Sequence, residues 1–141
     1  MSAPASPAGY SGTPLPKKLG IRPGARVALE GAPGGFEETL GPLPEGVRLE
    51  RGLRVQADVA LVFVRSNADL ARAFDRSARA VGERARLWIV WPKKGSALAG
   101  EVAEGSVRDC GIASGWVDYK VCAVDATWSG LCFARRKPAV T

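Results

Sequence analysis

The chain has 141 residues and a net charge of +6, with 46% hydrophobic and 24% charged residues, proportions expected of a globular protein with one core of ordinary size. Its longest aliphatic and aromatic run, Val59 to Val64, is far too short to span a bilayer, so no membrane partner is expected. Histidine is absent, which excludes His-based triads, His-containing zinc sites and imidazole acid/base steps.

Residues 1–9 lack the basic start and apolar centre of a secretory leader and read as a disordered cytoplasmic tail. One α/β domain is expected over 10–137, followed by a flexible C-terminus at 138–141. Tyr10 to Ile21 reads as a turn-rich entry with one helical turn ending at Gly20, and Arg26 to Glu30 as a short strand. Gly31-Ala-Pro-Gly-Gly35 is a loop. Phe36 to Leu40 opens a brief helix with Glu37 and Glu38 in its first turn, where the helix dipole favours acids. Val47 to Glu50 alternates like an exposed edge strand.

Val59 to Val64 has no polar face and reads as a central strand covered on both sides. Ser66 with Asp69 resembles a helix start, and Leu70, Phe74, Ala78 and Val81 recur along one helical face. Arg86 to Trp91 predicts a second central strand, and Ser106 to Ser114 a shorter helix. Trp116 to Val124 and Leu131 to Arg136 are expected as final strands, joined through Asp125 to Gly130. Cys110, Cys122 and Cys132 form no CxxC pair, so no disulfide framework is expected.

Alternating strands and helices predict a three-layer α/β sandwich with a mainly parallel sheet of five to six strands and a C-terminal antiparallel hairpin. The order of elements resembles the Rossmann-like fold of S-adenosylmethionine-dependent methyltransferases, reduced in its first half. In such a sheet ligands bind outside the carboxyl ends of the strands. Four segments should meet there: the glycine loop with Gly34 and Gly35, the segment from Arg65, the Lys93-Lys94 pair after Pro92, and the turn carrying Asp125, Thr127, Trp128 and Ser129. These nine residues are the candidate ligand site. No metal site is expected, and no catalytic residue is assigned.

Each also has an ordinary structural explanation. Glycines serve any strand-to-helix turn, paired lysines are commonly solvated, and Asp125 could simply pair with Lys93 or Lys94. For Trp128 packing slightly outweighs recognition. Arg72, Arg76 and Arg79, or Arg135-Arg-Lys137, could touch nucleic-acid phosphates, although interleaved acids make a solvated helix face the simpler reading.

The motifs Tyr10-Ser-Gly-Thr-Pro-Leu15, Lys17-Lys-Leu-Gly20, Trp91-Pro-Lys-Lys94 and Lys120-Val-Cys-Ala-Val-Asp125 with Thr127-Trp-Ser-Gly-Leu131 resemble a bacterial family of short proteins, domain of unknown function 3052. Two departures, at Ala126 and at Lys94-Gly-Ser96, fall in the expected crevice. The resemblance implies a stand-alone cytoplasmic bacterial protein and supplies no activity. The leading expectation is a non-catalytic domain binding an anionic small molecule at the carboxyl edge. The alternatives are a reduced enzyme using S-adenosylmethionine through Glu30 and Glu50, and a weak nucleic-acid binder.

Overall fold

The computed structural model describes residues 13–53, 57–82 and 84–136. The tail expected over 1–9 and the C-terminus at 138–141 lie outside the described residues, as do Tyr10 to Gly12 and Lys137. The elements are α1 (Leu15–Lys18), β1 (Arg26–Glu30), α2 (Phe36–Leu40), β2 (Arg48–Arg51), β3 (Val59–Phe63), α3 (Asn67–Ala80), β4 (Arg86–Pro92), α4 (Glu104–Ala113), β5 (Trp116–Ala123) and β6 (Trp128–Arg135).

The six strands form one sheet in the order β2-β1-β3-β4-β6-β5. Strand β1 pairs in parallel with β2 and β3, and β3 with β4, while β6 is antiparallel to both β4 and β5. Strand β5 therefore points the same way as β4, and the hairpin turn lies at the carboxyl edge. The mainly parallel α/β sandwich with a terminal antiparallel hairpin is the observed fold.

Side chains alternating along the central strands supply two cores. Leu87, Ile89 and Trp91 of β4 pack with Leu70 and Phe74 of α3 and Val107 of α4. Trp88 and Val90 face the opposite side, against Leu15 and Leu19 at α1 and Phe36 and Leu40 of α2. Period-two alternation in an all-apolar strand demands cover on both faces. The second face receives it from helices of only four and five residues.

Most boundaries fall within a residue or two of the sequence reading, and two of the departures have a side-chain cause. Helix α4 starts at Glu104, because the Ser106 hydroxyl accepts from the Ala103 N–H at 3.1 Å and donates to its carbonyl at 2.8 Å. Ser106 therefore folds back onto the helix entrance instead of preceding it. The hairpin turn is shorter than Asp125 to Gly130: Asp125 Oδ1 accepts from the Thr127 and Trp128 N–H groups, each at 2.8 Å, and β6 begins at Trp128. A carboxylate closing the turn on the following amides leaves no exposed tip for the tryptophan.

Candidate functional site

The chain leaves β1 outward to β2 and then returns across the sheet to β3, so the connections diverge between β1 and β3. This topological switch point is where an open α/β sheet forms its ligand crevice. A cleft of about 250 Å³ opens there, between the ends of β1 and β3 and the side of α3. Glu30, Gly31, Arg65, Asp69, Arg72 and Arg76 form its polar lining above Val62 to Val64.

The charges in this cleft are largely paired. Arg76 reaches Glu30 at 2.8 Å, and Arg72 reaches Asp69 at 2.7 Å. Asp69 also accepts from the Arg65 N–H at 3.3 Å, while the Asp69 N–H donates to the Ser66 hydroxyl at 3.0 Å, capping α3. The Arg65 amide, opposed by some burial but aided by Arg72, holds the Asp69 carboxyl below its ordinary range. Among the described residues the Arg65 guanidinium forms no ion pair, and it lies 5.5 Å from the centre of the Trp128 ring.

Beside the cleft runs the glycine loop. Gly31 has φ +73°, and a Cβ there would stand 3.1 Å from the Phe63 carbonyl oxygen, so only glycine lets the loop close onto β3. Gly35 adopts φ +81° at the start of α2. Gly34 has neither reason: its φ is not positive, and a Cβ would meet nothing within 4 Å. Arg51 fastens the loop by donating to the Ala32 and Pro33 carbonyls at 2.9 and 3.0 Å and to Glu37 at 2.9 Å. The Arg51 hydrogen bond also lowers the Glu37 pKa. Glu50, next to Arg51 on β2, is exposed, and its side chain has no ion-pair or hydrogen-bond partner among the described residues.

Of the nine sequence candidates, Arg65 alone lines the cleft. Gly34 and Gly35 lie in the adjoining loop. Lys93, Thr127, Trp128 and Ser129 gather on the β4 side of the edge: the Lys93 N–H donates to the Thr127 carbonyl at 2.7 Å, Pro92 pairs with Trp128, and Trp91 pairs with Ser129. Lys94 is exposed just beyond, and no ion pair joins either lysine to Asp125. Trp128 is only 3% exposed and packs edge-on against Phe63 at 5.0 Å, which meets Phe36 at 4.9 Å. The sequence reading did not place Asp69 in the site and read Arg72 and Arg76 as an outward stripe. The usable signal was Glu30 at the end of a buried strand, an acid needing a basic partner, which α3 supplies through Arg76.

Among the described residues no cluster of His, Cys, Asp and Glu could hold a metal ion, and no helix is long and apolar enough to cross a membrane.

Fold and crevice together define a methyltransferase-like Rossmann architecture. The chain is similar to the pyocyanin biosynthetic protein PhzM (TM-score 0.63, 14% identity, 86% of this chain and 53% of that one). It is also similar to a TehB-like SAM-dependent methyltransferase from Corynebacterium glutamicum (TM-score 0.56, 12% identity, 92% and 91%) and to a SAM-dependent methyltransferase from Aquifex aeolicus (TM-score 0.61, 14% identity, 83% and 85%). The chain thus spans about half the length of PhzM and most of the other two. No family model matches the chain, and no curated relative does.

These findings overturn the expectation of a non-catalytic binder of an anionic small molecule and favour the reduced methyltransferase-like reading. The cleft gives a physical reason as well. Glu30 and Asp69 hold Arg76 and Arg72, so little positive charge is left to attract an anion, and neither lysine of the Lys93-Lys94 pair lines it.

Proposed function

We propose that the chain binds S-adenosylmethionine at the carboxyl edge of its sheet and acts as a reduced methyltransferase-like enzyme. The observation that carries this reading is Gly34, a glycine required by neither backbone conformation nor packing, in a loop beside the switch-point cleft. Open space at its missing Cβ suits close approach of a ligand to the backbone. Glu50 lies twenty residues after Glu30, near the spacing at which an acid holds ribose hydroxyls in nucleotide-binding sheets.

The residues fit the chemical groups of that cofactor. Glu50 would accept hydrogen bonds from the ribose, the Gly34 and Gly35 backbone would border the amino-acid portion, and Arg65 would pair with its carboxylate. When bound, S-adenosylmethionine supplies an electrophilic methyl group. Lys93, Lys94, Asp125, Thr127 and Ser129 would form the β4 rim of the site, with Trp128 buried behind them. The motifs resembling the family of unknown function support one shared edge, since Pro92 pairs with Trp128. Three free thiols suit a reducing, cytoplasmic setting.

Thermal denaturation with S-adenosylmethionine or S-adenosylhomocysteine tests this. Stabilisation of about 2.7 kcal/mol is expected at a hundred times Kd, reduced by Gly34→Val and by Glu50→Ala. Absence of any shift with either compound at millimolar concentration would overturn the reading.

A further inference from the structure

A second cleft, of about 210 Å³, lies toward the amino edge of the sheet, where the segment after α1 crosses β4 and β5. Lys18, Arg22, Arg86, Tyr119 and Lys120 wall it, above Trp88. Among the described residues no carboxylate lines it, and Arg22, Arg86 and Lys120 form no ion pair. Arg51, Arg72, Arg76, Arg79 and Arg108, by contrast, each have an acidic partner.

Several of these groups are held in place. Lys120 Nζ donates to the Lys18 carbonyl at 2.7 Å, and Lys18 Nζ donates to the Ala123 carbonyl at 3.2 Å. An ammonium has three donors, so Lys120 keeps further hydrogen-bonding capacity. The Trp88 indole N–H donates to the Leu19 carbonyl at 3.0 Å and fixes the floor to the crossing segment.

Tyr119 owes its position to a β-bulge. Asp118 pairs with Phe133 and Lys120 with Cys132, leaving Tyr119 as the extra residue. The bulge breaks the usual alternation, so the adjacent side chains Tyr119 and Lys120 reach the same cleft. The Tyr119 oxygen accepts from the Arg86 guanidinium and, at 3.2 Å, from the Cys132 thiol. Burial, and next the hydrogen bond with Cys132, push the Tyr119 pKa up to about 12, so the phenol stays protonated.

We propose that this cleft is a binding site for a phosphate monoester, separate from the carboxyl-edge crevice. Concentrated positive charge without a protein counter-charge recruits an anion from solution. The Arg22 and Arg86 guanidiniums and the Lys120 ammonium offer more donors than the two oxygens of a carboxylate can use. A phosphate monoester brings about −1.5 to −2 charge and three acceptor oxygens, and arginine forks match its geometry. The compact volume suits one phosphoryl group with a small substituent and not an extended polynucleotide backbone. Arg86 and Pro92 bound opposite ends of β4, about 20 Å apart at ~3.3 Å per residue, so the two sites can be tested independently.

The test titrates the full chain with inorganic phosphate and, at matched ionic strength, with acetate, followed by amide NMR and thermal denaturation. Phosphate should move the Gly20, Tyr119 and Lys120 signals and raise Tm more than acetate does. Combining Arg86→Gln with Lys120→Gln should weaken phosphate binding by about tenfold or more, while Arg79→Gln leaves it unchanged. Equal responses to acetate and phosphate, or an unaltered affinity in the double variant, would overturn the proposal. Should that variant fail to fold, the wild-type NMR map decides, because shifts centred on Gly31 to Gly35 place phosphate elsewhere. A single-stranded oligonucleotide binding at Tyr119 and Lys120 more than tenfold tighter than phosphate would replace the monoester with nucleic acid. Success or failure of S-adenosylmethionine binding alters none of these readouts.

Discussion

Arg65 lies over the indole of Trp128, its guanidinium carbon 5.5 Å from the ring centre, and joins the cleft to the terminal hairpin. The ring is buried against Phe63 beneath that contact, so the tryptophan supports the site from behind. Trp128→Ala should therefore cost about 3–5 kcal/mol of stability without any ligand, the range for truncating a buried aromatic residue. Chemical denaturation measures this directly, and an unchanged midpoint would refute the packing role.

Helix α4 offers a paired test of core complementarity. A Cβ at Gly111 would stand 2.7 Å from Phe133 Cζ, whereas one at Gly105 would meet nothing within 4 Å. Gly111→Ala should destabilise by about 1–3 kcal/mol through overpacking. Gly105→Ala should stabilise by about 0.5–1 kcal/mol, because alanine favours the helix. Equal effects from the two substitutions would contradict the packing of α4 on β6.

Stability should decline in alkali. Burial, opposed in part by the Tyr119 hydroxyl and nearby cations, raises the Cys132 thiol from its ordinary 9.0 to about 11. A raised pKa means that the folded chain retains a proton the unfolded chain has lost. The associated stability is fully present below pH ~9 and disappears as pH rises through ~11, amounting to about 2–3 kcal/mol. Denaturation midpoints from pH 8 to 11 should show this loss, and Cys132→Ala should flatten it. An unchanged slope in the variant would assign the loss to other groups.

Nucleic-acid binding through α3 should be weak. Arg72, Arg76 and Arg79 are paired with Asp69, Glu30 and Asp75, so contact with phosphates must first displace acids. Binding to a short duplex at low salt should vanish near physiological salt. Retention there, with loss in the Arg72→Glu, Arg76→Glu double variant, would show that the helix face binds phosphate after all.

The central strands were legible in the sequence because their requirement is local: Val59 to Val64 and Leu87 to Trp91 leave no polar face, and such a strand must be covered on both sides. Ser66 likewise marked the start of α3 with its own hydroxyl. Trp128 was harder, since the turn residues before it could close early or late, and its burial depends on Phe63, distant in the chain. Side-chain pairing of Glu30 with Arg76, and convergence of Lys18, Arg86 and Lys120 on one cleft, follow from strand order and a bulge at Tyr119. Periodicity determines which residues must be buried. Only the folded sheet, by bringing remote segments within a few ångströms, decides which charges neutralise one another and which remain open to a ligand.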